Sequence, residues 1–168
     1  AAFIHGQLTQ DFALQKPDEA RLAAFLNAKG RMQASFIGVK RAKDEILLIC
    51  SRDLLPQTLK RLSMFVLRAK AKLSDASADF NLYGLAGAPA SAVLPADQTA
   101  WHVSTAGDAS VVQLYPADGV ARALWIAPVG SAIPAGDDLP ASLWHWSEIR
   151  SGVATLTQPL FEAFVPQM

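Results

Sequence analysis

Apolar positions alternate in the first third of the chain, shift to helical spacing, and then alternate again. Residues 21–27 and 32–40 are short apolar runs on either side of Ala28-Lys29-Gly30-Arg31. Asn27 and Gly30 both tolerate positive φ, so the pattern predicts two strands joined by a tight turn at 28–31. The polar stretch Arg41-Ala42-Lys43-Asp44-Glu45 leads to a third strand at 45–50, completing an antiparallel meander. Asp53-Leu54-Leu55-Pro56 then reads as a helix start, with a capping acid and a first-turn proline. Leu55, Leu59, Leu62 and Val66 recur at helical spacing. The helix is expected to stop near Arg68-Ala69-Lys70, with a strand at 71–75 returning to the sheet.

The second half repeats this order loosely. Asn81 to Ala86 reads as a strand closed by Gly87-Ala88-Pro89, while 90–105 is rich in Ala and Ser and carries no clear period. Val111 to Tyr115 and Ala121 to Ala127 flank Pro116-Ala117-Asp118-Gly119, a strong hairpin signal. A loop over 128–140 precedes a helix from Leu139 to Ser151, ended by Gly152. Val153 to Met168 is an irregular, largely apolar segment. The expected fold is therefore α+β, with two similar lobes of antiparallel sheet plus helix at about 1–78 and 79–168. The opening, Ala1 to Phe12, is the end of a helix or strand broken at Gly6, where Thr9 and Asp11 bond nearby backbone.

Composition sharpens this only in part. The chain has 168 residues, half of them hydrophobic, which suits one domain or two small ones with a real core. No apolar run approaches the roughly 20 residues that span a bilayer, so no membrane contact is expected. The single cysteine, Cys50, excludes an internal disulfide and suits a reducing compartment, so a cytoplasmic location is expected. Because Cys50 follows Ile46-Leu47-Leu48-Ile49, it reads as a small buried core residue. Net charge is zero but divided: residues 1–75 hold 13 of the 15 Lys and Arg against 7 acids, and the rest hold 2 against 8. A basic first half leaves an anionic ligand or an RNA contact open.

No metal-ligand spacing links His5, His102, His145 and Cys50, and there is no phosphate loop or nucleophile elbow. The paired acids Asp18-Glu19, Asp44-Glu45 and Asp137-Asp138 lie in turns and read as solvated. Trp144 and Trp146 stand two apart on a predicted helix, so they project about 200° apart and cannot both face one core. One of them is a candidate for a pocket wall. A flat aromatic beside a basic half suits a planar anionic ligand.

Several stretches, in order, resemble the YgfZ-like folate-binding proteins, relatives of the glycine-cleavage T-protein (aminomethyltransferase) family. Phe3-Ile4-His5-Gly6-Gln7-Leu8-Thr9-Gln10-Asp11 is similar to that family's F-x-x-G-Q-x-T-x-D opening, and Leu26 to Met32 to its L-N-A-K-G-R-M turn. Leu62 to Lys70 resembles its helix end, and Tyr83 to Gly87 its V-x-G-x-x-G strand. Trp144 to Gly152, with Phe164-Val165-Pro166-Gln167-Met168, resembles W-x-x-x-x-I-x-x-G … F-[IV]-P-Q. The resemblance implies a T-protein-type fold that binds tetrahydrofolate or a one-carbon derivative of it. It also implies an indirect partnership with iron–sulfur enzymes, including one that modifies tRNA. It places Trp144 at the folate and makes Lys29, Arg31, Met32 and Gln167 candidate folate contacts. A cysteine motif of the K-G-C-Y-T-G-Q-E type and a C-terminal barrel would follow Met168, so the chain is expected to be the N-terminal part of such a protein.

Departures from the pattern bear on mechanism. Catalytic T-proteins carry an Asp-Asp pair after this turn, where the present chain has Ala34 and Ser35, and Arg150 stands where the family often has Glu. A methyl and a hydroxyl supply no carboxylate to a folate nitrogen. No catalytic residue is expected, and an accessory role in iron–sulfur assembly or repair is favoured over a folate-dependent one-carbon transferase or demethylase.

Overall fold

The computed structural model describes residues 1–167; Met168, the last residue of the final motif, lies outside the described residues. The fold is α+β with two antiparallel sheets, one of three strands and one of four. By internal contacts the chain divides into two units. The first comprises Ala1–Asp75 and the segment from Thr155 onward, and the second comprises Ala76–Ala154. The segment that the sequence pattern attached to the second lobe thus belongs to the first unit. No helix among the described residues is long and apolar enough to cross a membrane.

In the first unit, a short helix α1 (Ala2–His5) precedes β1 (Ala20–Leu26), β2 (Met32–Ala42) and β3 (Glu45–Ile49), which form a sheet in the order β1-β2-β3. Helix α2 (Leu55–Met64) follows. One sheet face presents Ala23, Phe25, Ala34 and Phe36, the period-2 set of the two central runs. Ile4, Leu8, Phe12 and Leu62 close over it. Phe12 is fully buried, and its ring presses on Gly38, where an added Cβ would lie 2.2 Å from Cε1. Only a glycine admits that ring to the sheet.

Three expectations fail in this unit. Helix α2 stops at Met64, about one turn before Arg68, and residues 71–75 form no strand. In Arg68-Ala69-Lys70-Ala71-Lys72 the alternation sets cations against alanines, whose small side chains offer little area to bury on a sheet; Leu73 packs on the core. Asp53 does not cap α2, whose N-cap is Leu54 without a side-chain bond. Its carboxylate instead accepts from Ser51 Oγ at 2.6 Å and from the Gln158 amide at 2.9 Å. Cys50 is half-buried against the core, and desolvation pushes its thiol up to about 11, with Asp75 and Asp53 adding to the rise.

The second unit holds β4 (Phe80–Ala86), α3 (Ala88–Val93), β5 (Val103–Ala106), β6 (Ala109–Ala117), β7 (Val120–Pro128) and α4 (Ala141–Ser151), with sheet order β4-β7-β6-β5. Asp118 and Gly119, at φ 50° and 80°, form the two-residue turn between β6 and β7. Both central residues having positive φ matches the right-handed twist of the strands. Leu85, Val111, Ala123 and Trp125 face Ala90 of α3 on one side of this sheet. Strand alternation sends Gly84 and Arg122 to the other side. Gly152, at φ 73°, ends α4 as the sequence predicts. The unassigned stretch 90–105 contains most of α3 and the start of β5; its alanines are too small to make either period visible.

Candidate functional site

The turn between β1 and β2 is built by Asn27. Its side-chain oxygen accepts from the amides of Lys29 and Arg31, both at 2.9 Å, while Gly30 takes φ 74°. An Asn side chain that mimics a backbone acceptor fixes this reversal with few residues. Lys29 and Arg31 are thereby presented on the exposed tip.

A strap from the far end of the chain docks beside the turn. The Met32 amide donates to the Phe164 carbonyl and the Glu162 amide to the Met32 carbonyl, each at 2.9 Å. Arg31 Nη1 donates to the Ala163 carbonyl at 2.8 Å, and Gln33 Nε2 to Glu162 Oε1 at 2.6 Å. Hydrogen bonds from Asn27 and then Gln33, with the charges of Arg61 and Lys29, hold the Glu162 carboxyl below its usual range. Glu162 adopts φ 58°, a conformation that costs a non-glycine residue and that these bonds maintain.

Below the strap, a cavity of about 220 Å³ opens between β1, β2, α2 and Phe161. Gln57, Lys60, Arg61 and Met64 follow one side of α2 at three- and four-residue spacing and form its rim with Thr58. Phe25 and Gln33 come from the sheet. Gln33 and Thr58 are both more than nine-tenths buried, and Gln33 Oε1 and Thr58 Oγ1 have no hydrogen-bond partner among the described residues. The sequence pattern missed these residues because it assigned α2 by its leucines. A threonine and a glutamine at buried positions were the available signal.

Ala34 and Ser35, which follow the turn, are closed to chemistry. Ala34 is wholly buried in the core, and Ser35 Oγ, also buried, accepts from the Leu156 amide at 2.8 Å. Neither can act as a base there.

Trp144 lies in the second unit, on α4. Its six-membered ring sits on Gly84, where an added Cβ would be 2.7 Å from Cη2 and Cζ3. The Arg122 guanidinium carbon is 4.4 Å from its ring centre. Arg122 itself is buried, donates to Ser151 Oγ at 2.8 Å, and leaves Nε without a partner. Desolvation lowers its pKa, opposed by Glu148. Trp146 is exposed, with Arg150 at 5.7 Å from its ring, and Arg150 also grips Asp118. The two tryptophans therefore divide as their spacing requires, one packed and one outward.

Of the candidate residues, the fold brings Lys29, Arg31 and Met32 together in one turn, joined to the strap that ends in exposed Gln167, and places Trp144 in the other unit. No group of three or more metal-ligating side chains occurs among the described residues. No protein-family model matches the chain, and no curated protein matches it.

Proposed function

We propose that this protein binds tetrahydrofolate, or a one-carbon derivative of it, on a T-protein-type fold. We propose further that it serves as an accessory to iron–sulfur enzymes, including one that modifies tRNA, in the cytoplasm. What supports this reading is the meeting of two motifs that lie some 130 residues apart. The Met32 amide, at the end of the Leu26–Met32 turn, donates to the Phe164 carbonyl at the start of the Phe164–Gln167 stretch, and Arg31 and Gln33 bond Ala163 and Glu162 just before it. A resemblance made only of scattered matches has no reason to converge on one spot.

Within this reading, Lys29 steers the anionic tail of the folate by charge. Arg31 uses one of its five donors on the strap and keeps the others for the ligand. Trp144 is assigned to the folate by the resemblance, and within its own unit its ring is held by Gly84 and Arg122. The burial of Ala34 and Ser35 favours a binding role over aminomethyl transfer. The test is a titration with tetrahydrofolate followed by tryptophan fluorescence. A saturable change, weakened by Trp144→Ala and by Lys29→Ala, is expected. An unresponsive protein overturns the folate claim, and release of formaldehyde from N-methyl substrates overturns the accessory claim.

A further inference from the structure

We infer that the segment from Lys60 to Lys72, which closes α2 and runs on as irregular chain, is a binding surface for single-stranded nucleic acid. The inference does not rest on the folate reading. Between Asp53 and Asp75 the chain holds no acid and five cations: Lys60, Arg61, Arg68, Lys70 and Lys72. All five are exposed, and none forms an ion pair among the described residues. Glu162 shares the field of Arg61, so Lys60, Arg68, Lys70 and Lys72 are the cations most open to an outside anion.

Two features give this charge a nucleic-acid character. The first is Phe65, the residue that ends α2. Its ring makes a T-shaped contact with Phe25 at 6.5 Å, yet Phe65 stays 47% exposed. An aromatic ring anchored on the core and open to solvent is a platform for an unpaired base, whatever the base. The second is the order of the chain, with Lys60 before the ring and Arg68, Lys70 and Lys72 after it. A strand whose base stacks on Phe65 meets positive charge on both sides of that base. Duplexes hide their base faces, so the ring selects single strands. An anionic lipid surface would use the same cations, but the Phe25 contact holds Phe65 back from the acyl region. Met64 and Leu67 are then the exposed apolar groups left to insert, a small area for a membrane anchor.

The test is fluorescence anisotropy of a labelled oligouridine of about 12 nucleotides, titrated with the full chain across a salt series. Four phosphate contacts predict a slope of log K against log salt of about −2.8, or about a 50-fold loss of affinity between about 50 and about 200 mM. Replacing both Lys70→Ala and Lys72→Ala should bring the slope to about −1.4. Phe65→Leu keeps an apolar side chain against Phe25 and removes the stacking face. It should weaken binding about fivefold or more with the slope unchanged, and circular dichroism should show the fold intact. No binding at about 50 mM salt, or a slope indifferent to the lysine pair, overturns the proposal. So does binding indifferent to Phe65→Leu, or an unlabelled duplex that competes as well as the single strand. Binding to phosphatidylglycerol vesicles but not to oligouridine overturns it in favour of a lipid surface. Each of these outcomes leaves the tetrahydrofolate titration to stand or fall separately.

Discussion

Replacing Gly84 with alanine isolates the contact that fixes Trp144. Gly84 has no positive φ, so its backbone accepts a side chain and the obstacle is wholly steric. The new methyl would stand 2.7 Å from Cη2 and Cζ3 and 2.8 Å from Cε3 of the indole. Reaching ordinary contact near 3.4 Å requires the ring to retreat by about 0.7 Å, and such overpacking typically costs about 1–3 kcal/mol. Against this stands a gain of about 0.4–1 kcal/mol from the stiffer unfolded chain. A net loss of about 1–2 kcal/mol is expected in the wild-type background. In a Trp144→Ala background the obstacle is absent, and the same change should be neutral or stabilising by about 0.5 kcal/mol. Urea unfolding of all four proteins, followed by circular dichroism, gives the coupling energy directly. Equal effects of Gly84→Ala in the two backgrounds, within about 0.5 kcal/mol, would refute the packing argument.

Three further outcomes follow from groups placed above. Glu162 has a lowered folded pKa, so its contribution to strap docking is full above 4.5, its ordinary value, and is lost as pH falls through the lower folded value. The protection of the Met32 and Glu162 amides, taken relative to the intrinsic exchange rate at each pH, should fall on acidification through that window, and Glu162→Gln should remove the dependence. Cys50, the only cysteine, should react with iodoacetamide at pH 8 about 100-fold more slowly in the folded chain than in urea, since the thiolate is the nucleophile; equal rates would contradict its half-buried placement. Arg122→Met retains length and removes a buried charge, so it should stay within about 1 kcal/mol of wild type, whereas Arg122→Ala should cost at least about 2 kcal/mol in chemical denaturation.

Strands β1, β2, β3, β4, β6 and β7 were legible because each is a short, largely apolar run bounded by a turn signal. Asn27 with Gly30, and Asp118 with Gly119, mark the turns that set the β1–β2 and β6–β7 registers. Helix α2 was found but extended too far, since Val66 continues the leucine spacing although the chain turns at Phe65. The missing strand at 71–75 shows the limit of local alternation, which cannot tell whether a neighbouring sheet has apolar surface to offer. The candidate site was legible only as pieces. The sequence pointed to Lys29, Arg31 and Met32, but the bonds to Ala163 and Phe164 join positions so distant that no local period registers them. The cavity was hidden for a similar reason: Phe25, Thr58 and Phe161 belong to three different elements, and each has an ordinary local role.

The docking of the strap on the first turn also imposes an order in time on the growing chain. The first unit is interrupted by roughly eighty residues, Ala76–Ala154, so its β1–β2 turn leaves the ribosome long before its partners at Glu162–Phe164 exist. At about 5–20 residues per second, that interval of about 130 residues lasts about 7–26 seconds. During it the Met32 amide and carbonyl stay open at a sheet edge, exposed to pairing with another nascent chain. The intervening unit has an unbroken sequence and its own sheet, and can complete its contacts first. Within this stretch, the inserted unit can thus close before the first unit does.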